Sequence, residues 1–169
     1  MVDESTFQSF YESTKQQLWL YVVKVVEDAS VAGDIFQESY IRFLQHTMRE
    51  KNENAMKSYL YRTATNLIND HWRKLKRERG WFGAEDEQPS VRAADPNFDL
   101  RHDVSEAFQQ LTPQQRSVLW LAYVEKYEHR EIAAMLKLRE NSIKVLLFRA
   151  KQKLTSVFKQ MGITFESVS

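Results

Sequence analysis

The chain has 169 residues, 43% of them hydrophobic, which excludes global disorder and fits one large domain or two small ones. The absence of cysteine excludes disulfides, thiol catalysis and thiolate metal sites, and the acidic, polar N-terminus is not a signal peptide. The net charge is only +1, but basic blocks at 51–79 and 104–169 alternate with acidic blocks at 1–50 and 80–103. This pattern predicts that the two basic blocks make separate contacts with anionic partners.

Two helices are predicted in the first 50 residues. The first spans 5–27, where aromatic and aliphatic residues recur at helical spacing. After a break at 28–33, the second runs from Asp34 to about Met48. Its outer face is charged but includes an isoleucine, and comprises Asp34, Gln37, Glu38 and Ile41. This face is either a docking surface for another protein or a merely solvated acidic face.

The stretch from Ser58 to Lys74 predicts an amphipathic helix with two different faces, preceded by a polar loop over 47–56. One face is an apolar stripe that suits a protein core. The other, with Trp72 at its edge and a basic run after it, comprises Tyr59, Arg62, Asn66, Asn69 and Arg73. Rings stack on unpaired bases, amides read base edges and arginines hold phosphate, so this face predicts nucleic-acid binding. The alternative is a core helix that ends in cations favourable to its own dipole.

Glycine and proline are concentrated in the middle of the chain. Residues 80–98 hold two of the four glycines and two of the three prolines, and they show no helical period. This segment therefore predicts a flexible linker between two helical units. The fold is predicted to be all-α, with an N-terminal domain at 1–79, a linker at 80–103 and a C-terminal domain at 104–169.

The second unit contains a well-marked helix start. Thr112 suits the N-cap, Pro113 suits the first helical position, and Gln115 completes a capping box. The helix is predicted to continue towards Val124.

The segment after this helix predicts a helix-turn-helix. It combines a short helix over 128–136, a turn over 137–139 that buries Leu138, and a longer helix from residue 140 or 141 to Leu154. The longer helix carries groups suited to a major groove and its phosphates, namely Asn141, Ser142, Lys144 and Lys151. A generic helical hairpin is the alternative.

Three segments together resemble the extracytoplasmic-function (ECF) sigma factors, the small two-lobed class of bacterial initiation factors. Residues 32–43 contain Asp34, Gln37 and Glu38 in a D-x-x-Q-E pattern similar to the family's acidic helix. Residues 59–70 are similar to its promoter-melting helix. The third segment, from residue 111 to residue 151, is similar to its helix-turn-helix domain. The resemblance covers nearly the whole chain apart from the linker and the last ten or so residues.

The resemblance implies a promoter-specificity factor with two partners, core RNA polymerase and promoter DNA. It implies that polymerase is bound by Asp34, Gln37, Glu38 and Ile41. It implies that the −10 element is captured as a single strand and the −35 element is read as duplex. The implied DNA-binding residues are Tyr59, Arg62, Asn66, Asn69, Trp72, Arg73, Lys74, Asn141, Ser142, Lys144, Val145 and Arg149. An anti-sigma factor that covers both lobes is also implied.

Four positions depart from the family's pattern. Lys137 stands where the turn usually has glycine, and Arg139 replaces the usual capping residue of the recognition helix. Val145 and Leu146 stand where small polar and basic residues are frequent, which leaves room for a partner, and Val145 could touch a thymine methyl or a bound inhibitor.

The main alternative is a stand-alone helix-turn-helix regulator, which would bind duplex DNA without polymerase but leaves the aromatic and amide face at 59–73 unexplained. An adaptor that binds only proteins would leave both basic blocks unexplained. The sequence has no converging catalytic groups, no glycine-rich phosphate loop and no metal-ligand spacing, so neither an enzyme nor a cofactor is expected. No apolar run approaches the 18 to 20 residues or so of a membrane span, and a cytoplasmic protein is expected.

Overall fold

The computed structural model describes residues 3–46, 52–79 and 102–162. Within these ranges the chain folds as helices joined by short turns, so the predicted all-α class is confirmed. The α-helices are α1 (Glu4–Val26), α2 (Ala29–Gln45), α3 (Glu53–Glu78), α4 (His102–Gln109), α5 (Pro113–Leu119), α6 (His129–Leu136) and α7 (Glu140–Gln160). A π-helical turn, Trp120–Val124, extends α5. We call α1–α3 the N-terminal lobe and α4–α7 the C-terminal lobe.

The chain reverses between α1 and α2 in fewer residues than predicted. The predicted break between the two helices at 28–33 is too long, because α2 begins at Ala29 and continues through Gly33. The Asp28 carboxylate caps α2 by accepting hydrogen bonds from two amides of its first turn, at 3.0 and 3.2 Å. Glu27 ends α1 with φ of +66°, the left-handed conformation that often terminates a helix.

Helix α3 is longer than the predicted stretch from Ser58 to Lys74, since it runs over Glu53–Glu78. It begins inside the segment predicted as a loop, where Asn52 accepts a hydrogen bond from the Asn54 amide at 2.9 Å. The loop prediction is therefore wrong from Glu53 onward, and residues 47–51 lie outside the described residues. The helix extends to Glu78 through the basic run because lysine and arginine are good helix formers.

The three helices of the N-terminal lobe enclose an aromatic core. Phe10 of α1 stacks on Phe43 of α2 with ring centroids 4.7 Å apart. Leu60 and Ile68 of α3 are fully buried, as the predicted apolar stripe requires. A hydrogen bond of 2.7 Å joins the hydroxyls of Thr14 and Tyr40 within this core, and burial raises the pKa of Tyr40 to about 12.

The predicted capping box and helix-turn-helix of the C-terminal lobe are both confirmed. The Gln115 amide donates to the Thr112 hydroxyl at 3.2 Å, and the Gln115 side chain accepts from the Thr112 amide at 3.0 Å. The turn between α6 and α7 places Lys137 at φ +57°. Arg139, the N-cap of α7, makes no side-chain capping bond. The expected burial of Leu138 is wrong, because 36% of this residue is exposed.

The two lobes pack directly against each other. Helix α3 contacts α6, and α1 contacts α5. One continuous cluster of buried residues includes members of both lobes, with Tyr21 beside Trp120 and Tyr61 beside Tyr127 at centroid distances of 6.4 and 5.8 Å. Most of the predicted linker, residues 80–101, lies outside the described residues, and its last two positions, residues 102–103, begin α4.

Candidate nucleic-acid interfaces

A surface pocket of about 480 Å³ lies where the end of α2 meets the middle of α3. Its lining contains three of the predicted DNA-binding residues and three that sequence reasoning missed. The predicted residues are Tyr59, Arg62 and Asn66, and the missed residues are Arg42, His46 and Thr63. A pocket of this size is within the usual range for sites that hold a small ligand.

The pocket combines aromatic rings with cations. The His46 imidazole stacks on the Tyr59 ring with centroids 4.2 Å apart and planes 16° from parallel. Arg42 comes from α2 and Arg62 from α3, and the Arg62 side chain is exposed. Stacked rings hold a base by its face, and guanidinium groups hold the adjoining phosphates, so this arrangement suits an unpaired nucleotide.

The other predicted residues of α3 differ in exposure. Asn69 is half-buried, while Arg73 and Lys74 are exposed. The Arg73 guanidinium lies 3.5 Å from the Asp70 carboxylate, and both side chains are largely in solvent. Trp72 packs against the core cluster, and its indole Nε1 is buried with no hydrogen-bond partner among the described residues.

The His71 side chain, next to Trp72 on α3, adds little positive charge to this region at neutral pH. Its pKa lies below its ordinary value because burial disfavours the charged imidazole. The neighbouring Lys74 lowers the pKa further, and Asp28 and Glu78 partly oppose these effects. The positive charge on this part of α3 therefore comes from lysine and arginine.

The predicted polymerase-binding face occupies the solvent side of α2. Asp34, Gln37 and Ile41 are exposed. Glu38 accepts a hydrogen bond from Arg42 Nε at 3.0 Å, so this face adjoins the pocket through one ion pair. Leu44, which was not predicted, is 47% exposed beside the 46% exposed Ile41. A search for apolar residues at i, i+3 spacing on the charged face would have found it.

The recognition helix α7 presents a mixed basic and apolar face. Ser142 is half-buried, whereas the other predicted residues of α7 are exposed, namely Asn141, Lys144, Val145 and Arg149. Phe148 lies one turn after Val145 and is 61% exposed, more than any other large apolar residue described. Sequence reasoning missed it, although an aromatic ring outside the helix's apolar stripe was the available signal. Beyond it, Lys151 Nζ lies 4.8 Å from the centroid of Tyr123.

The described residues thus form two surfaces suited to DNA on a helical scaffold. The pocket between α2 and α3 has the rings and cations that bind a single strand, and α7 belongs to a helix-turn-helix that presents a groove-sized helix. In the described parts of the chain, no group of three or more His, Asp or Glu residues could hold a metal ion. Nor does any helix in these ranges have the length and apolarity needed to cross a membrane.

Comparisons with known proteins match both lobes of the chain. Sigma-70 region 2 matches residues 10–78 and sigma-70 region 4 matches residues 101–154. The ECF sigma factor SigL of Mycobacterium tuberculosis is 26% identical over 167 residues, covering 96% of this chain and 94% of its own. SigM and SigX of Bacillus subtilis are 22% and 27% identical, covering 92% and 86% of this chain and 96% and 80% of their own.

A solved structure also resembles the whole fold. The sigma factor RpoE of Bartonella quintana, in complex with the anti-sigma factor NepR, matches with a TM-score of 0.66 and 19% identity. The match covers 90% of this chain and 96% of that one. The two matched regions, one on each helical lobe, define a transcription initiation factor of two regions. The chain belongs to the sigma-70 family and is a sigma factor of the ECF group, whose members bind core RNA polymerase and promoter DNA.

Proposed function

We propose that the pocket between α2 and α3 captures an unpaired base of the −10 element and thereby promotes melting. The observation that carries this proposal is the convergence of the His46–Tyr59 stack with Arg42, Arg62 and Asn66 in one pocket. Such a pocket binds a base only after it has left the duplex. Stacking is worth about 1–3 kcal/mol per base, so capture would favour the separated strands.

The exposed face of α7 would read the −35 element as duplex DNA. Its first turn offers Asn141 and Ser142 to base edges or phosphates, and Lys144 and Arg149 add positive charge. Val145 and Phe148 are apolar and exposed, which suits contacts with thymine methyl groups.

The outer face of α2 would dock on core RNA polymerase. Exposed Ile41 and Leu44 supply apolar area, while Asp34, Gln37 and Glu38 supply polar and acidic groups that would fix the orientation. In this scheme residues 1–79 bind polymerase and the −10 element, residues 104–169 bind the −35 element, and residues 80–103 connect them.

An anti-sigma factor would keep the chain silent by covering surfaces of both lobes. Support comes from the Bartonella quintana relative, whose fold is similar and whose structure contains an anti-sigma factor. The chain has no cysteine, so a thiol-based signal would be sensed by that partner rather than here. The chain would act in the cytoplasm, where its polymerase is, and without a catalytic site or cofactor of its own.

Run-off transcription on a promoter library tests this function directly. Core polymerase should begin transcription at new, discrete start points when the chain is added. Start points that are identical with and without the chain on every template would contradict it. A stand-alone regulator would instead bind duplex DNA tightly without polymerase, so a gel-shift assay with the chain alone separates the two functions.

A further inference from the structure

Two patches on the surface of the chain combine exposed apolar side chains with charges of opposite sign. The described residues expose seven large apolar side chains, and five of these lie on only two faces. Ile41 and Leu44 lie on α2, whereas Val145 and Phe148 lie on α7, with Tyr123 beside that helix. Exposed apolar patches with a polar rim are typical of surfaces at which proteins associate.

The patch on α2 is acidic towards the start of the helix and apolar towards its end. One stripe along its solvent side recurs at i, i+4, i+7 and i+11, and comprises Asp34, Glu38, Ile41 and Gln45. Glu38 is paired with Arg42, but Asp34 is exposed and has no ion-pair partner among the described residues. This stripe, with Leu44 at its side, is called the acidic face.

The patch on α7 is basic and apolar. Lys144, Phe148 and Lys151 recur at i, i+4 and i+7, so two ammonium groups flank an exposed ring on one stripe. Residues 141–160 contain five lysines and arginines and no aspartate or glutamate. Lys151 Nζ lies 4.8 Å from the centroid of Tyr123, which extends the patch beyond the helix. This stripe, with Val145 and Tyr123, is called the basic face.

The acidic and basic faces are complementary in charge and in spacing. With a rise of about 1.5 Å per residue, Asp34 lies about 10 Å along its helix from Ile41, and each lysine lies about 5 Å along α7 from Phe148. If Ile41 packs on Phe148, Asp34 lies about 5 Å along the axis from one of the two lysines, whether the helices run parallel or antiparallel. Both faces are exposed in a single chain, so the complement of each is available on a second copy.

We propose that two copies of this chain associate, with the acidic face of each copy on the basic face of the other. When this contact is made twice about a twofold axis, the assembly closes at a dimer. A small apolar centre surrounded by exposed charges gives a weak contact, with a dissociation constant in the micromolar range and a strong dependence on salt. At nanomolar concentrations the chain is therefore a monomer.

The dimer would cover two functional surfaces at once. The acidic face belongs to the surface that docks on polymerase, and the basic face belongs to the helix that reads duplex DNA. This consequence rests on the proposed function, whereas the association itself does not. Chain in excess of polymerase would be stored in an inactive form, and polymerase or DNA would favour the monomer because each binds a face that the dimer covers.

Sedimentation velocity of the full chain tests the association. Between about 1 and 100 µM at low salt, the sedimentation coefficient should rise from that of a monomer to that of a dimer. Raising the salt concentration to about 0.5 M should increase the dissociation constant by about tenfold. Phe148→Ala, which removes the apolar centre of the basic face, should increase it by a similar factor. A chain that stays monomeric at low salt over this range overturns the proposal.

Charge reversals identify the faces that make the contact. Asp34→Lys reverses the acidic face, and Lys144→Glu with Lys151→Glu reverses the basic face. Each variant alone should stay monomeric because like charges then meet. An equimolar mixture of the two should form dimers, because both contacts of a mixed dimer join opposite charges.

A control on α3 separates this effect from a change in net charge. Lys76→Glu with Arg77→Glu makes the same reversal at exposed positions, and this variant should associate like the unaltered chain. The proposal is overturned if Asp34→Lys and the reversed basic face associate as strongly as this control. It is also overturned if their mixture stays monomeric.

Duplex DNA separates failure of this inference from failure of the proposed function. A short duplex of random sequence should convert dimers into DNA-bound monomers, because phosphates and the acidic face compete for the same lysines. A dimer that binds duplex without dissociating would overturn the covering of α7. A chain that dimerises as described but never alters the start points of core polymerase would contradict the proposed function. A monomeric chain that does alter them would overturn only the association.

Discussion

The guanidinium of Arg116 donates a hydrogen bond of 2.7 Å to the main-chain carbonyl of Val25, 91 positions earlier in the chain. Val25 belongs to the last turn of α1, where carbonyls lack partners within the helix and the helix dipole favours a cation. Arg116 also donates to the carbonyls of Gln109, at 3.3 Å, and Leu111. One buried side chain therefore connects the start of the C-terminal lobe to the end of the first helix.

The Glu27 carboxylate beside this guanidinium should make stability depend on pH. Burial raises its pKa from an ordinary 4.5 to about 7, although Arg116 and Lys24 oppose the shift. The folded state binds this proton more tightly than the unfolded state, so protonation of Glu27 adds to the free energy of unfolding. This stabilisation is fully present below about pH 4.5 and is lost as the pH rises through about 7. At full amplitude it amounts to about 3 kcal/mol.

The variant Glu27→Gln should remove this pH dependence. We expect its free energy of unfolding in urea to exceed that of the unaltered chain at pH 8 and to change less between pH 5 and pH 8. Glu12→Gln, which alters an exposed carboxylate, should follow the unaltered chain at every pH. Parallel curves for Glu27→Gln and the unaltered chain would mean that Glu27 titrates near its ordinary pKa.

The turn of the helix-turn-helix carries a local strain that a single substitution should relieve. Lys137 has φ of +57°, where a side chain costs about 1–2 kcal/mol that glycine avoids. Lys137→Gly should therefore raise the free energy of unfolding by about 1 kcal/mol. Ala134→Gly, at an exposed position inside α6, should lower it by a similar amount. Thermal melts that move in the same direction for both variants would contradict this explanation.

The parts of the fold that were predictable depend on local signals. The capping box at Thr112 needs only three neighbouring residues, and the apolar spacing of α7 needs only its own helix. The packing of the lobes has no local signal, because the residues of the N-terminal lobe that Arg116 contacts, Val25 and Glu27, are about 90 positions away. The same reason explains why the pocket was only partly predicted, since Arg42 lies on α2 and His46 directly follows it, whereas Tyr59 lies on α3.

The docking surface on α2 can be tested by removing its exposed groups. Ile41→Ala and Leu44→Ala delete apolar area from a central part of the proposed contact, and each should weaken binding to core polymerase by about tenfold. Gln37→Ala should have a smaller effect, and Gln17→Ala removes a matched exposed amide from α1 as a control. Affinity can be measured by fluorescence titration with core enzyme. Unchanged affinity in both apolar variants would place the contact elsewhere.

The same variants should leave the C-terminal lobe's DNA contacts intact. Duplex binding by the full chain carrying Ile41→Ala should match that of the unaltered chain at every salt concentration. A parallel loss of duplex binding would indicate that the substitution disturbs the fold rather than a docking surface.

The recognition helix should show two kinds of DNA contact. Phe148→Ala should reduce the preference for particular thymines in the −35 element by about 1–3 kcal/mol, the usual cost of one mismatched base pair, because an apolar ring can recognise only the methyl group. Lys144→Ala should weaken binding to all sequences. It should also reduce the slope of log affinity against log salt concentration by about one, as expected for the loss of one phosphate contact. Lys159→Ala, near the end of α7, serves as the matched control for charge. Binding to a library of duplexes measures both effects.

A pattern of losses opposite to this one would reject the assignment on α7. Uniform weakening by Phe148→Ala would make its ring a packing contact rather than a base contact. A sequence-selective loss in Lys144→Ala would make the ammonium group a base reader.

The pocket between α2 and α3 should matter for melting rather than for polymerase binding. Arg62→Ala with Asn66→Ala should slow open-complex formation by about tenfold or more, because the captured strand loses a guanidinium that holds phosphate and an amide that contacts the base. His46→Ala, which removes the ring stacked on Tyr59, should act in the same direction. Permanganate reactivity of unpaired thymines measures melting, and Asn54→Ala removes an exposed amide of α3 outside the pocket as a control.

A template that is already unpaired at the −10 element makes this last test specific. The cost of separating the strands is then absent, so the pocket variants should show a smaller defect in forming the open complex. The defect should not vanish, since the captured base still lacks its contacts. Affinity for core polymerase should stay within twofold of the unaltered chain. A collapse of that affinity, or a defect of equal size on paired and unpaired templates, would show that these residues act before melting and that the pocket does not hold the flipped base.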